Sequence, residues 1–348
     1  MVRPELDKAF QLLERTPLID GHNDLAHVIR KDSMAQGDIA AYGLSRRRPT
    51  GDTDIPRLRE GRVAAQFWAA FVPPKEPHPA SFALQQIALI RRLNEIHQDV
   101  FLPAYRSGDV ARARRQGKIA SFITIENGAA VENRIDALDS FYGLGVRLMT
   151  LCHNATTDWC DSATDTPRHG GLSDFGKRVV MKMNSLGMII DLAHVSDAVM
   201  HQAIELSRAP VVFSHSNARA LCDHRRNVPD DVLDLARARG GLIMATFVPD
   251  FIRAKPKNSK EASTGTLSQY CDQLDYLKSR VGPDCVGIGS DFFGGPQGEG
   301  LKDVSCFPHI FAELINRGWS ESDLKKLAGN NLLRVFRAVE KAADRPSA

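Results

Sequence analysis

The chain predicts an α/β fold, a closed (β/α)8 barrel of the TIM type, and three observations predict it. Eight short apolar runs recur along 348 residues, separated by segments of helical periodicity. The runs are rich in Val, Ile, Phe and Met and nearly continuous in hydrophobicity, as parallel strands buried on both faces are. Histidines and carboxylates fall at the C-terminal ends of several runs, the end at which such a barrel gathers its chemistry. The rival architecture, a doubly wound open sheet, lacks its mark here: no Gly-x-Gly-x-x-Gly follows the first run.

The first strand, 17–24, reads Pro17-Leu-Ile-Asp-Gly-His-Asn-Asp24. Side chains alternate along a strand, so His22 and Asp24 point to the same side. The remaining strands are expected at 64–72, 120–126, 145–153, 187–194, 209–216, 240–248 and 285–291. Between them the apolar spacing predicts helices over 81–97 and 131–142. Ser173 caps a helix running to Asn184, and Ser196 caps one running to Leu206. Further helices are expected over 232–239 and 267–280. Ser320 and Asp323 form a capping box ahead of Leu324, and a last helix runs over 331–342. The segments 27–63, 154–172 and 249–266 are longer than ordinary connections. Each follows the C-terminal end of a strand, so they are expected to rim one face of the barrel.

Hydrophobic residues make up 43% and charged residues 25%, enough apolar surface for a large core and no sign of disorder. No composition break divides the chain, so residues 1–348 are expected to form one domain. Net charge is +3, and the basic runs Arg46-Arg47-Arg48 and Arg112 to Lys118 come without a nucleic-acid motif. They read as solvated surface, and no nucleic-acid partner is expected. Neither terminus carries a signal core or an anchoring tail, so no membrane partner is expected either. Six cysteines without zinc-finger spacing read as reduced thiols of a cytoplasmic protein. Cys152 and Cys160 are read as packing residues.

The first strand ends in His22 and Asp24, the third in Glu126, the fourth in His153, the fifth in His194, the sixth in His215 and the eighth in Asp291. Four of eleven histidines thus stand at four different strand ends. Nitrogen and oxygen donors of this kind suit Zn²⁺, with Mn²⁺ or Co²⁺ as substitutes. His22, Asp24, His194, His215 and Glu126 are too many for one tetrahedral ion with an open position. They fit two ions sharing Glu126, about 3.5 Å apart with a hydroxide between them. Asp291 is then the candidate acid/base, and His153 the candidate group for an oxyanion or a further ligand. Glu132 is a weaker alternative to Glu126. Arg225 and Arg226 follow the sixth strand and could hold a substrate carboxylate.

The residues resemble the renal (membrane) dipeptidase family of binuclear zinc metallopeptidases, within the amidohydrolase-type barrels. The marks are Ile19-Asp-Gly-His-Asn-Asp-Leu25, Gly61-Arg-Val-Ala-Ala-Gln-Phe-Trp68, Leu148-Met-Thr-Leu-Cys-His153 and Gly171-Leu-Ser-Asp-Phe-Gly-Lys-Arg-Val-Val180. They continue with Ile190-Asp-Leu-Ala-His-Val-Ser196, Phe213-Ser-His-Ser216, Arg225-Arg-Asn-Val-Pro-Asp230 and Asn330-Asn-Leu-Leu-Arg-Val-Phe336. The resemblance implies that His22 and Asp24 bind one Zn²⁺, His194 and His215 the second, and that Glu126 and a hydroxide bridge them. It also implies that His153 contacts a substrate oxygen, that Asp291 transfers the proton and that Arg226 holds the substrate's C-terminal carboxylate. The implied activity is hydrolysis of free dipeptides, including those with a D-residue on the C-terminal side, by a homodimer of the soluble bacterial branch. One departure stands out: where the resembled family often reads Asp-Phe-Asp-Gly, this chain has Asp291-Phe-Phe-Gly294. The competing expectations are a hydrolase of cyclic amides, β-lactams or lactones on the same barrel, and a binding protein that kept the fold without the chemistry.

Overall fold

The computed structural model describes residues 4–253 and 265–344. Nine strands are present among the described residues: β1 Leu18–Asn23, β2 Val63–Phe71, β3 Phe101–Pro103, β4 Ile119–Glu126, β5 Val146–Thr150, β6 Ile189–Asp191, β7 Val212–Phe213, β8 Leu242–Ala245 and β9 Val286–Ile288. Eight of them neighbour one another in sequence order, β1-β2-β4-β5-β6-β7-β8-β9, and every pairing is parallel. These are the eight expected strands. The ninth, β3, pairs only with β4 and lies off the ring. Three residues ending in Pro103, which has no N–H to extend a ladder, leave no periodicity to detect.

The ring closes where β9 meets β1. Asn23 and Phe292 form a parallel bridge, and the Asp291 N–H donates to the His22 carbonyl at 3.2 Å. The buried Asp20 carboxylate completes the seam. It accepts from the Ser290 N–H and hydroxyl at 2.8 and 2.7 Å, and from the Gln66 amide of β2 at 2.9 Å.

Inward-facing residues of alternating strand positions fill the barrel. Ile19, Phe67, Phe122, Leu148, Ile189 and Met244 form one apolar cluster, closed from the N-terminal end by Leu332 and Phe336 of the last helix, Asn331–Ala342. Phe67 and Phe122 stack at 4.6 Å, and Phe336 meets Phe122 edge-on at 5.6 Å. With that end plugged, polar side chains have only the opposite end to occupy. The helices pack outside through a second, larger apolar cluster.

The Ser173, Ser196 and Ser320 caps form as expected, each hydroxyl accepting an N–H three residues on. The helix expected over 131–142 does not form as one piece. A 3-10 turn, Gly128–Val131, is followed by an α-helix only at Ala137–Gly143. Glu132 and Asn133 between them are left-handed, with φ of 47° and 57°. Tertiary bonds hold them there: Glu132 accepts the Ala80 N–H at 3.1 Å, and Asn133 donates to Asp158 at 3.0 Å. Helices Pro4–Arg15, Asp109–Arg115 and Phe307–Asn316 were not expected from periodicity.

The rim segments have internal order. Residues 27–63 contain short helices at Ile39–Tyr42 and Ile55–Glu60 beyond the end of Leu25–Lys31. The 154–172 segment is gathered on buried Asp161, whose carboxylate accepts the N–H groups of Arg168, His169 and Gly171 at 2.8 to 3.1 Å. Of the segment 249–266, a helical turn Pro249–Ile252 is seen, and residues 254–264 lie outside the described ones. No described helix is long and apolar enough to cross a membrane.

Candidate metal centre

The strand ends bring seven sequence-predicted residues to one place. His22 is on β1 and Asp24 just past it, and Glu126 is the last residue of β4. His153, His194, His215 and Asp291 lie two or three residues beyond the ends of β5, β6, β7 and β9, in the turns rather than on the strands. His194 and Asp291 have φ of 69° and 63°. A left-handed residue reverses the direction a strand would give its side chain, and non-glycine residues hold it at a cost. Of the eight ring strands among the described residues, β2 and β8 send no such group.

Glu126 stands in the middle with its two oxygens divided. Oε1 is 3.0 Å from His194 Nε2, 3.5 Å from His215 Nε2 and 3.7 Å from His153 Nε2. Oε2 faces the other way, 3.6 Å from His22 Nε2. His22 Nε2 is also 3.3 Å from Asp24 Oδ2 and 3.8 Å from Asp291 Oδ1. Donor atoms of His22, Asp24 and Glu126, of Glu126, His153 and His194, and of His22, His215 and Asp291 each gather within 4.8 Å.

The hydrogen bonds behind the histidines decide their tautomers. His194 Nδ1 is 2.9 Å from the Asn154 side-chain oxygen, an acceptor, so Nδ1 carries the proton. Ser214 donates its hydroxyl proton to Asp191 at 2.6 Å, so at 2.7 Å it accepts from His215 Nδ1. Asp191 also accepts from Thr150 at 2.6 Å, which joins β5, β6 and the β7 exit behind the imidazole. Both rings therefore turn bare Nε2 lone pairs toward each other, 2.9 Å apart. Burial, together with neighbouring positive charge, pulls the pKa of both far below the usual histidine range, so neither is protonated to relieve the contact. Two lone pairs and a carboxylate oxygen converging in a buried site call for a cation. Across Glu126, His22 Nε2 and Asp24 Oδ1 are buried without a hydrogen-bond partner, a second set of donors awaiting an acceptor. The residues present fit bound metal.

The other groups are tuned differently. Burial would strip His22 of its charge, but Glu126 and Asp24 outweigh it and hold its pKa well above the ordinary value. Burial pushes Asp291 up to about 8; Asp24 and Glu126 add to this, and His22 and Arg226 oppose it. His153 is pushed down to about 3 by burial and by the charges of Arg226 and His22, so it is neutral. Its Nδ1 has no partner, and its ring lies 4.1 Å from that of His194.

Asp24, Glu126, His153, His194 and Asp291 open onto a cavity of about 440 Å³, the size of a small-molecule site. Arg226 lines it, 2% exposed, with Nη2 on the His215 carbonyl at 3.3 Å, Nη1 on the Ser216 hydroxyl at 3.5 Å and Nε without a partner. Arg225 is exposed and outside it. Glu132 is exposed and outside it too, committed to Ala80. Cys152 and Cys160 are fully buried, and burial raises the Cys160 thiol well above its normal range, which suits packing rather than attack. Sequence reasoning missed His27, Lys31, Phe71, Asn154, Thr164 and Phe251 on the cavity wall, and the Asp191–Ser214 support. Ser214 stood next to His215, and Phe71 and Asp191 end β2 and β6, so these were findable; His27, Lys31, Asn154, Thr164 and Phe251 come from loops and helices with no pattern of their own.

A family model described as membrane dipeptidase (peptidase family M19) matches residues 6–348. Dipeptidase 3 of Mus musculus is 38% identical over 347 residues, covering 97% of this chain and 68% of that protein. Dipeptidase ataJ of Aspergillus terreus is 40% identical over 376 aligned positions, covering 99% and 90%. Among solved structures, the probable dipeptidase PvdM from Pseudomonas aeruginosa superposes with a TM-score of 0.88 at 27% identity, covering 99% of this chain and all of that one. A metallopeptidase from Rhodobacter sphaeroides, liganded with a phosphinate mimic of the dipeptide L-Ala-D-Ala, superposes at 0.83 with 25% identity, covering 93% and 99%.

Proposed function

The chain belongs to the membrane dipeptidase family of metallopeptidases, and on that premise we propose that it hydrolyses free dipeptides, L-Xaa-D-Xaa among them, with two zinc ions in the cluster. His22 and Asp24 would hold one ion and His194 and His215 the other, with Glu126 standing between the two sets. The observation that carries this reading is the pair of bare Nε2 atoms of His194 and His215 set against one oxygen of Glu126, while the other oxygen faces His22. Bound there, zinc supplies Lewis acidity toward the peptide carbonyl and makes water acidic enough to attack at neutral pH.

The protein's own groups do the rest. Asp291, buried beside His22, takes the proton from the attacking water and delivers it to the leaving nitrogen. Neutral His153 offers a nitrogen to the developing oxyanion. Arg226, buried and with no carboxylate within 4.0 Å among the described residues, binds the substrate's C-terminal carboxylate. The phosphinate mimic bound by the Rhodobacter sphaeroides protein supports the D-residue on the C-terminal side. Residues 1–348 act as one catalytic domain in this reading, as a homodimer in the cytoplasm; the six buried, unpaired cysteines accord with a reducing compartment.

The test is a screen of L-Xaa-L-Xaa and L-Xaa-D-Xaa dipeptides alongside lactams and lactones, with metal analysis of the same sample. Two zinc ions per chain and turnover of dipeptides are expected, lost on chelation and restored by zinc. A metal-replete sample that cleaves lactones or lactams but no dipeptide would move the chain to another hydrolase class.

A further inference from the structure

Among the described residues the cavity has two cationic side chains and no carboxylate left to pair with them. Its carboxylates, Asp24, Glu126 and Asp291, all belong to the metal cluster. Arg226 is one cation, and a dipeptide's own C-terminal carboxylate answers it. Lys31 is the other. It is exposed at the rim and makes no ion pair or hydrogen bond among the described residues. Its neighbour Asp32 is taken by Arg48 at 3.1 Å.

The position of Lys31 follows from the helix it ends. Leu25–Lys31 starts immediately after Asp24. At about 1.5 Å per residue the Lys31 backbone stands about 10 Å from that of Asp24, and its side chain can reach back part of the way. His27 lies one turn earlier on the same face, with its Nδ1 buried and without a partner. From the cluster the wall runs His153, Phe71, His27, Lys31: the Phe71 ring is 5.0 Å from His153 and 4.8 Å from His27, both edge-on. A substrate whose peptide carbonyl sits at the cluster would lay one side chain along this wall, apolar stem on Phe71 and tip at His27 and Lys31.

We propose that Lys31 selects dipeptides carrying a second carboxylate, on an aspartyl or glutamyl side chain, with His27 as a hydrogen-bonding partner beside it. The inference rests on the dipeptidase reading above and deepens it from dipeptides in general to acidic ones. Recognition at the rim acts on binding rather than on the reacting atoms, so the preference belongs in KM and weakens with salt.

The experiment compares kcat/KM of the zinc-loaded enzyme for dipeptide pairs differing only as Glu against Gln, placed in turn at each position. Wild type should favour Glu at one position by about fivefold, the scale of a partly exposed ion pair. Lys31→Gln should bring that ratio near one, and Lys31→Glu should invert it, with the change carried by KM. A wild-type ratio of one or less at both positions overturns the inference while leaving the dipeptidase reading standing. So does a ratio that Lys31→Glu leaves unchanged. Failure to cleave any dipeptide overturns both.

Discussion

At the scale of single residues, the weight falls on groups that hold the histidines rather than on the histidines themselves. Ser214 and Asn154 each fix a proton on Nδ1 and so free Nε2. Ser214→Ala and Asn154→Ala should each weaken zinc binding about 10- to 100-fold, the usual size of such support, measured by competition with a chromogenic chelator. Folding should survive in both, as far-UV circular dichroism would show. Asp291 should behave in the opposite way. Asp291→Asn should keep its zinc and lose about 10²- to 10⁴-fold in kcat. Full activity in that variant would remove Asp291 from the proton path. Much of this was legible in advance: His22, Asp24, Glu126, His194, His215, His153 and Asp291 could be picked out because each ends an apolar run. The tautomers were not, because they depend on Asp191 and Asn154, which reach the imidazoles only once strands and rim loop are assembled.

At the scale of elements, the strand ends and their turns set the directions of the side chains. The Asp291–Gly294 turn is packed so closely that a Cβ on Gly294 would stand 2.1 Å from Asp291 Oδ1. Phe293, where the resembled family has a second aspartate, is also left-handed at φ 70° and is anchored by its N–H to the Asp52 carboxylate at 3.0 Å. Asp52 is raised to about 6 by burial, against the opposing Phe293 bond and Arg57. A carboxyl whose folded pKa lies above its unfolded value keeps its proton longer in the folded state. Stability from this group is therefore full below pH 4 and declines as pH rises from about 4 to about 6. Asp52→Asn should abolish that decline, so its melting midpoint should gain on wild type between pH 4 and pH 7 and not below. An equal offset at every pH would contradict the assignment. Helix boundaries show the limit of local pattern: apolar spacing over 131–142 looked helical, but the bonds of Glu132 and Asn133 to distant partners bent the chain.

At the scale of the whole molecule, the barrel must close for the site to exist, since His22 and Asp291 come from opposite edges of the seam. Gly289 stands just past β9, its N–H bonded to the Ala245 carbonyl of β8, and a Cβ there would stand 1.6 Å from the Ser214 carbonyl oxygen. Backbone must move to admit it, so Gly289→Ala should cost on the order of 3 kcal/mol and disturb the His215 turn with it. Denaturant midpoints and zinc content should fall together. Metal removal should itself lower stability, because ions that bind only the folded site stabilise it by mass action. A melting midpoint lower in chelator than in excess zinc is the expected reading.

Composition, the period of the apolar runs and the residues that end them determined the α/β class, eight ring strands and the seven residues that gather at the candidate centre, since those features are carried by short stretches of chain. The tertiary structure decided the rest: the closing bonds of Asp20 to Ser290, the left-handed turns that aim His194 and Asp291, the division of Glu126 between two sets of donors, and Lys31 standing unpaired at the rim. Each of these is a relation between residues far apart in sequence or a backbone conformation held by packing, and an alternation rule contains no such distances.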